Sequence, residues 1–218
     1  FKGKFDGNNH TISNIRIENG NPIFYQLTGG TIKNLFVENY RNLSYASHVG
    51  FIGLVQESAD VENVHLKGVT LYGSYRVGGL AAYTNNSTIS NCSVTDIKVY
   101  IKDENHKSYE GRIGGFIGEN NTTIIENSFV HGLDMNVTQA FATYGVGGFI
   151  GRNNSGYVYN SYAEGMLNTN TLEVGGIVGY NSGYISKVIS AVDVYTQQDS
   201  LGGIVGYSTN DFISNTLV

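Results

Sequence analysis

The chain has 218 residues, 40% of them hydrophobic, which is enough for one substantial folded unit. A formal charge of -5 without any Lys/Arg cluster argues against a nucleic-acid surface. The lone Cys92 excludes an intramolecular disulfide and a multi-cysteine metal site, and no run approaches the ~20 apolar residues of a membrane-spanning helix.

Twenty-nine glycines stand against a single proline, with neither a collagen period nor a disordered block. Many positions therefore need close backbone approach or unusual backbone angles. The start at Phe1, without an initiator Met or a signal segment, reads as a piece of a longer multidomain polypeptide, with residues 1–218 forming one domain of it.

Taken in order, Phe1 to Ile12 combine an alternating strand with a turn at Asp6-Gly7-Asn8-Asn9. That turn lacks the later ligands and terminal Glu of a calcium loop. The chain then enters Ile12-Ser13-Asn14-Ile15-Arg16-Ile17, a pattern of apolar-x-Asn-x-x-apolar that returns through the chain. It places a ladder at Asn14, Asn34, Asn63, Asn91, Asn127, Asn160 and Asn215, with Lys187 standing where one asparagine is missing. The intervals run from 20 (34 less 14) to 36 (127 less 91).

A second phrase recurs between the ladder positions. Its cleanest form is Val174-Gly175-Gly176-Ile177-Val178-Gly179-Tyr180-Asn181, with copies from Leu201, Val146, Ile113 and Val77 and a looser one at His48. In four copies the second glycine precedes the ladder asparagine by 12 residues (91 less 79, 127 less 115, 160 less 148, 215 less 203), and length varies elsewhere, in loops. Constant segments with variable insertions mark a stacked repeat. No apolar spacing of three and four is sustained, which disfavours helical repeats. The dense leucine framework of leucine-rich repeats is absent, and so is the Trp-Asp signature of propeller blades.

The expected architecture is all-β: a parallel β-helix of about seven coils of roughly 27–36 residues, three short strands in each. At ~4.8 Å per parallel strand the rod is about 34 Å long. Ile32, Val61, Ile89, Ile125, Val158, Ile185 and Ile213 are expected to stack inward, as are the pairs following the asparagine, Leu35/Val37 through Val188/Ser190. An asparagine at a corner can bridge its amide to the next coil and satisfy polar groups that a turn leaves open. Glycines fit the other corner.

With both motifs placed, the sequence resembles the glycine-rich repeat family called GLUG. The best copy is Gly147-Gly148-Phe149-Ile150-Gly151-Arg152-Asn153-Asn154-Ser155-Gly156-Tyr157-Val158-Tyr159-Asn160-Ser161-Tyr162-Ala163. The stretches Phe5 to Asn14 and Asn21 to Leu27 look like the start of the repeat region upstream of the immunoglobulin A1 metallopeptidases. The resemblance implies a right-handed β-helix in a bacterial cell-surface or secreted protein. Its zinc motif His-Glu-x-x-His is absent, so none of its catalytic residues passes to a position here. Val49-Gly50, Ala81-Ala82 and Lys187 depart from the repeat pattern.

Other chemistry is sparse. His10, His48, His65, His106 and His131 lie in different repeats without metal-ligand spacing. The carboxylates Asp60/Glu62, Asp96, Asp103/Glu104, Glu126, Asp134, Glu164 and Asp193 are scattered in offset, as outward charge on a rod would be. Asn42, Asn121 and Asn136 open Asn-x-Ser/Thr triplets, which are acceptors only in a eukaryotic secretory setting.

The outer face is more informative. The second residue after each ladder position points outward, giving Phe36, His65, Ser93, Phe129, Tyr162, Ile189 and Leu217. Large apolar groups there are covered by the chain's own loops, 103–112 and 138–144, or take a partner on Phe36, Phe129, Tyr162 and Ile189. The expectation is a non-catalytic scaffold and interaction domain without cofactor, catalytic residue or metal. The resemblance places it upstream of a zinc peptidase. Its partners are other domains of the same polypeptide or a host protein such as immunoglobulin, not nucleic acid or membrane. A carbohydrate-active β-helix enzyme and an adhesin-type module or passive spacer are the alternatives.

Overall fold

The structure is a computed structural model that describes residues 1–101, 111–137, 143–197, 201–210 and 212–218. It is an all-β parallel solenoid of about seven turns, and its described strands form three sheets of 12, seven and six strands. From His48 onward each turn visits the three in the same order. One runs through Arg76–Gly78 in the narrow sheet, Ala81–Asn85 in the middle sheet, then Thr88–Ser90 and Ser93–Ile101 in the broad sheet. Strands pair in parallel with the rungs before and after, as Ala81 does with Ile52 and with Ile117.

Period-two patterning explains the core. Ile32, Val61, Ile89, Ile125, Val158 and Ile185 are buried and in register, while Ile213, in the last coil, is partly covered. The pairs after each ladder position are buried too, down to the smaller Ser161/Ala163 and Val188/Ser190. Phe116 and Phe149, the residues after each glycine pair, stack inside with ring centroids 4.6 Å apart and planes 6° from parallel.

The Gly-Gly phrase makes the bend between the narrow and middle sheets. Its glycines serve close approach: a Cβ on Gly151 would lie 2.3 Å from the Ile113 amide nitrogen and 2.6 Å from the Gly118 carbonyl oxygen. Gly118, Gly179 and Gly206 meet the amide nitrogens of Val77, Val146 and Val174 in the same way. The middle-sheet strand thus lies directly on the narrow-sheet backbone. The copy at His48 is one residue short, since Val49 pairs with Val77 whereas Ile52 pairs with Ala81.

The asparagine ladder is a column of left-handed residues in the broad sheet. Asn34, Asn63, Asn91, Asn127, Asn160 and Asn215 have φ between 49° and 55°, and Lys187 adopts the same conformation at 53°. Asparagine tolerates this region better than most residues, which accounts for the motif. Two expectations are corrected. These side chains lie on the outside, with Asn91, Asn127, Asn160 and Asn215 exposed. And Asn14 belongs to another column: Ser13 is in register with Glu38, and Asn39 Nδ2 donates to Asn14 Oδ1 at 3.2 Å.

That second column continues through Gly68, Asp96 and Gly132, all with positive φ. Opposite Asn34 the first coil has a bulge at Gly7-Asn8-Asn9, where Asn8 and Asn9 are both left-handed. Both columns place a left-handed residue after an alternating strand, so one pattern fits Asn14 and Asn34. The anomalous 20-residue interval (34 less 14) was the trace of the difference.

Candidate interaction surfaces

The buried asparagines form a ladder of their own. Asn120, Asn153 and Asn181, at the end of the middle-sheet strands, are fully buried. Asn120 Nδ2 donates to Asn153 Oδ1 and Asn153 Nδ2 to Asn181 Oδ1, both at 2.8 Å, and the Thr84 hydroxyl donates to Asn120 Oδ1. The same amides reach the turn carbonyls of Thr123, Gly156 and Gly183. This is the amide bridging expected of the other ladder, and an Asn five residues after the second glycine (120 less 115, 153 less 148, 181 less 176) was its sequence signal.

On the outer ladder, Asn63 Nδ2 donates to Asn34 Oδ1 at 3.0 Å, Asn34 Nδ2 to Asp6 Oδ1 at 3.0 Å, and Asn160 Nδ2 to Asn127 Oδ1. Asp6, which also accepts the Asn8 amide, is held below the usual carboxylate range first by that backbone bond and then by Asn34.

The outward stripe forms one register column. Phe36, His65, Ser93, Phe129, Tyr162, Ile189 and Leu217 are cross-strand neighbours in succession. Phe36 stacks on His65 at 5.2 Å, and Phe129 on Tyr162 at 4.9 Å with planes 2° apart. The stripe is broken at Ser93, which is buried beneath the His65 ring and bonded to its Nδ1 at 2.8 Å. Ile189 and Leu217 are the open end, at 47% and 61% exposure. The loop covers expected from 103–112 and 138–144 fall largely on 102–110 and 138–142, outside the described residues, as do Asp103, Glu104 and His106.

A charged cluster that sequence reading did not find sits between the narrow and middle sheets. Glu119, 5% exposed, receives Arg76 Nε at 2.6 Å and lies 3.2 Å from Arg112 Nε, while its other oxygen accepts Asn154 Nδ2. The Arg76 guanidinium lies over the rings of both Tyr75 and Tyr83 and contacts His48 Nε2 at 2.9 Å. Burial first, then the Arg76 charge, lowers the His48 pKa, with Glu119 opposing. Arg76 is 43 positions from Glu119 and 28 from His48, and only stacking brings them together.

Among the described residues no three His, Cys, Asp or Glu side chains converge as a metal would need. His131 pairs with Glu164 at 2.8 Å on the exposed surface, and burial pushes the Cys92 thiol up to about 12, which leaves it inert. Asn42, which opens the triplet Asn42-Leu43-Ser44, is fully buried. Among the described residues no helix is long and apolar enough to cross a membrane.

Comparison with known proteins fits this architecture. A family model described as the GLUG motif matches residues 73–100, which hold one complete Gly-Gly phrase and the ladder residue Asn91. A protein of Streptococcus sanguinis named immunoglobulin A1 protease is 33% identical over 122 residues, covering 54% of this chain and 6% of that protein. A solved structure named IgA1 protease superposes with a TM-score of 0.62 across 94% of this chain and 16% of that one, at 20% identity. The chain therefore spans a small part of each protein it resembles, and the structural likeness is one of fold. The matches associate it with bacterial surface and secreted proteins.

Proposed function

We propose that this solenoid is a non-catalytic scaffold and interaction domain within a longer bacterial surface or secreted protein, in the region upstream of an immunoglobulin A1-type zinc peptidase. It presents a partner-binding stripe and positions the partner or substrate for chemistry done elsewhere in the polypeptide. The observation that carries this reading is the outward stripe. Phe36, Phe129, Tyr162 and Ile189 fall in one register column, where solvated strands favour charge or Thr, and two of its contacts are stacked rings. The likeness over 122 residues to an immunoglobulin A1 protease supports the setting.

Surface plasmon resonance of the chain against immunoglobulin A1 and against the peptidase part of such a protein tests it. Binding is expected to at least one of them, weakened about tenfold or more by the double variant Phe129→Ser, Tyr162→Ser with unchanged β-sheet circular dichroism. Binding that ignores the double variant, or no binding to either, overturns the reading.

A further inference from the structure

A second outward trough runs along the first half of the broad-sheet strands, on the other side of the left-handed asparagine column from the stripe. One wall is an aromatic stack: Tyr157 lies on Tyr184 at 4.6 Å with planes 2° apart, and Tyr184 on Phe212 at 4.4 Å. The other wall carries Tyr159 and Ser186, in register across the rungs, with Lys187 beside Ser186 as the charged residue of the lining, two rungs from Glu126. The floor is backbone, because Val158 and Ile185 turn into the core. The trough encloses about 470 Å³, and its rings remain well exposed, from 37% at Tyr159 to 54% at Phe212.

We propose that this trough binds a proline-rich segment in the polyproline II conformation, with a basic residue at one end. The pitch fits: three polyproline II residues advance about 9.3 Å, and two rungs of a parallel sheet advance roughly 9.6 Å. A peptide lying along the solenoid axis therefore meets the rings of Tyr157 and Phe212, two rungs apart, on successive turns. A polyproline II backbone leaves its carbonyls unpaired, and Tyr157 and Tyr184, which line the trough, each carry a hydroxyl donor. Stacking takes both ring faces of Tyr184 and one of Tyr157 and leaves mainly edges, which suit proline rings rather than sugar rings that need an open face. Charge sets the polarity. Toward the N-terminal coils the Tyr159 column continues as Glu126, Ser90 and Glu62, so carboxylates follow directly on the aromatic section.

The test is fluorescence anisotropy of the chain with a short labelled oligoproline carrying one terminal arginine. Saturable binding is expected, weakened about tenfold by Tyr157→Ser or by Tyr184→Ser. Glu126→Gln is expected to abolish the preference for this peptide over an uncharged oligoproline. Ser186→Arg, which fills the trough without touching the stack, is expected to block binding should a tyrosine variant lose its circular dichroism. Phe129→Ser, on the stripe, leaves this binding unchanged, so failure here and failure of the scaffold reading are distinguishable. No saturable binding, equal binding of a Gly-Ser peptide, indifference to Tyr157, Tyr184 and Ser186 changes, or binding of cellohexaose in place of the peptide overturns the proposal.

Discussion

Asparagine occupies two opposite niches here, and the difference sets what each substitution does. Asn127 is exposed with φ 50°, so its value is conformational. Asn127→Gly should change stability by less than ~0.5 kcal/mol, whereas Asn127→Val, forced into the left-handed region, should cost about 1–2 kcal/mol. Asn153 is buried and bonded to Asn120, Asn181 and the Gly156 carbonyl. Asn153→Ala strands those groups away from water and should cost about 1–3 kcal/mol. Urea midpoints at constant slope decide this, and the reverse order, with Asn127→Gly the more damaging of the two, would sink the assignment. Gly151→Ala belongs with the severe changes, because its Cβ meets three backbone atoms that no rotamer change can move.

At the scale of elements, the Arg76, Glu119 and Arg112 contacts tie two successive rungs across the bend between two sheets. Removing the carboxylate in Glu119→Ala leaves two guanidiniums facing each other in a place of little solvent. A loss of about 3 kcal/mol is expected, and thermal unfolding measures it. His48 links the cluster to pH. Its folded pKa lies below the ordinary 6.5, so the unfolded chain takes up the proton first as pH falls. Stability from this residue is fully present above about pH 6.5 and declines as pH drops toward the folded value. His65, lowered by burial, acts in the same direction. Urea titrations between pH 5 and 8 should show that decline, and His48→Gln should flatten part of it. An unchanged slope would mean that the ring contacts carry no linkage.

For the whole molecule, each rung touches only its neighbours, so stability behaves as a sum of coil and interface terms. A defect in a central coil should split the rod, while one in a last coil only frays it. Gly151→Ala is expected to turn one unfolding transition into two. Gly203→Ala, whose Cβ would meet only Val218 side-chain atoms, is expected to leave a single transition with faster hydrogen exchange in the last coil. Calorimetry and hydrogen exchange separate these outcomes, and one sharp transition in both variants would rule out near-neighbour behaviour.

The repeat, the three-strand coil, the inward columns and the outward stripe follow from the sequence alone, because side-chain parity and a recurrent left-handed position leave a periodic mark that any alignment of the chain with itself exposes. Phe129 and Tyr162 could be named as neighbours from spacing alone, and the structure stacks them. What only the tertiary structure decided is register and depth. Asn14 and Asn34 carry the same local pattern but lie in different columns, since a bulge at Gly7-Asn8-Asn9 shifts the first coil. Asn91, which recurs in the pattern, is exposed, while Asn120 and Asn153, which recur less conspicuously, are buried. Arg76 and Glu119 meet only because one rung lies on the next. Periodicity records which positions are equivalent; the three-dimensional path of the chain determines which of them face each other and which are removed from water.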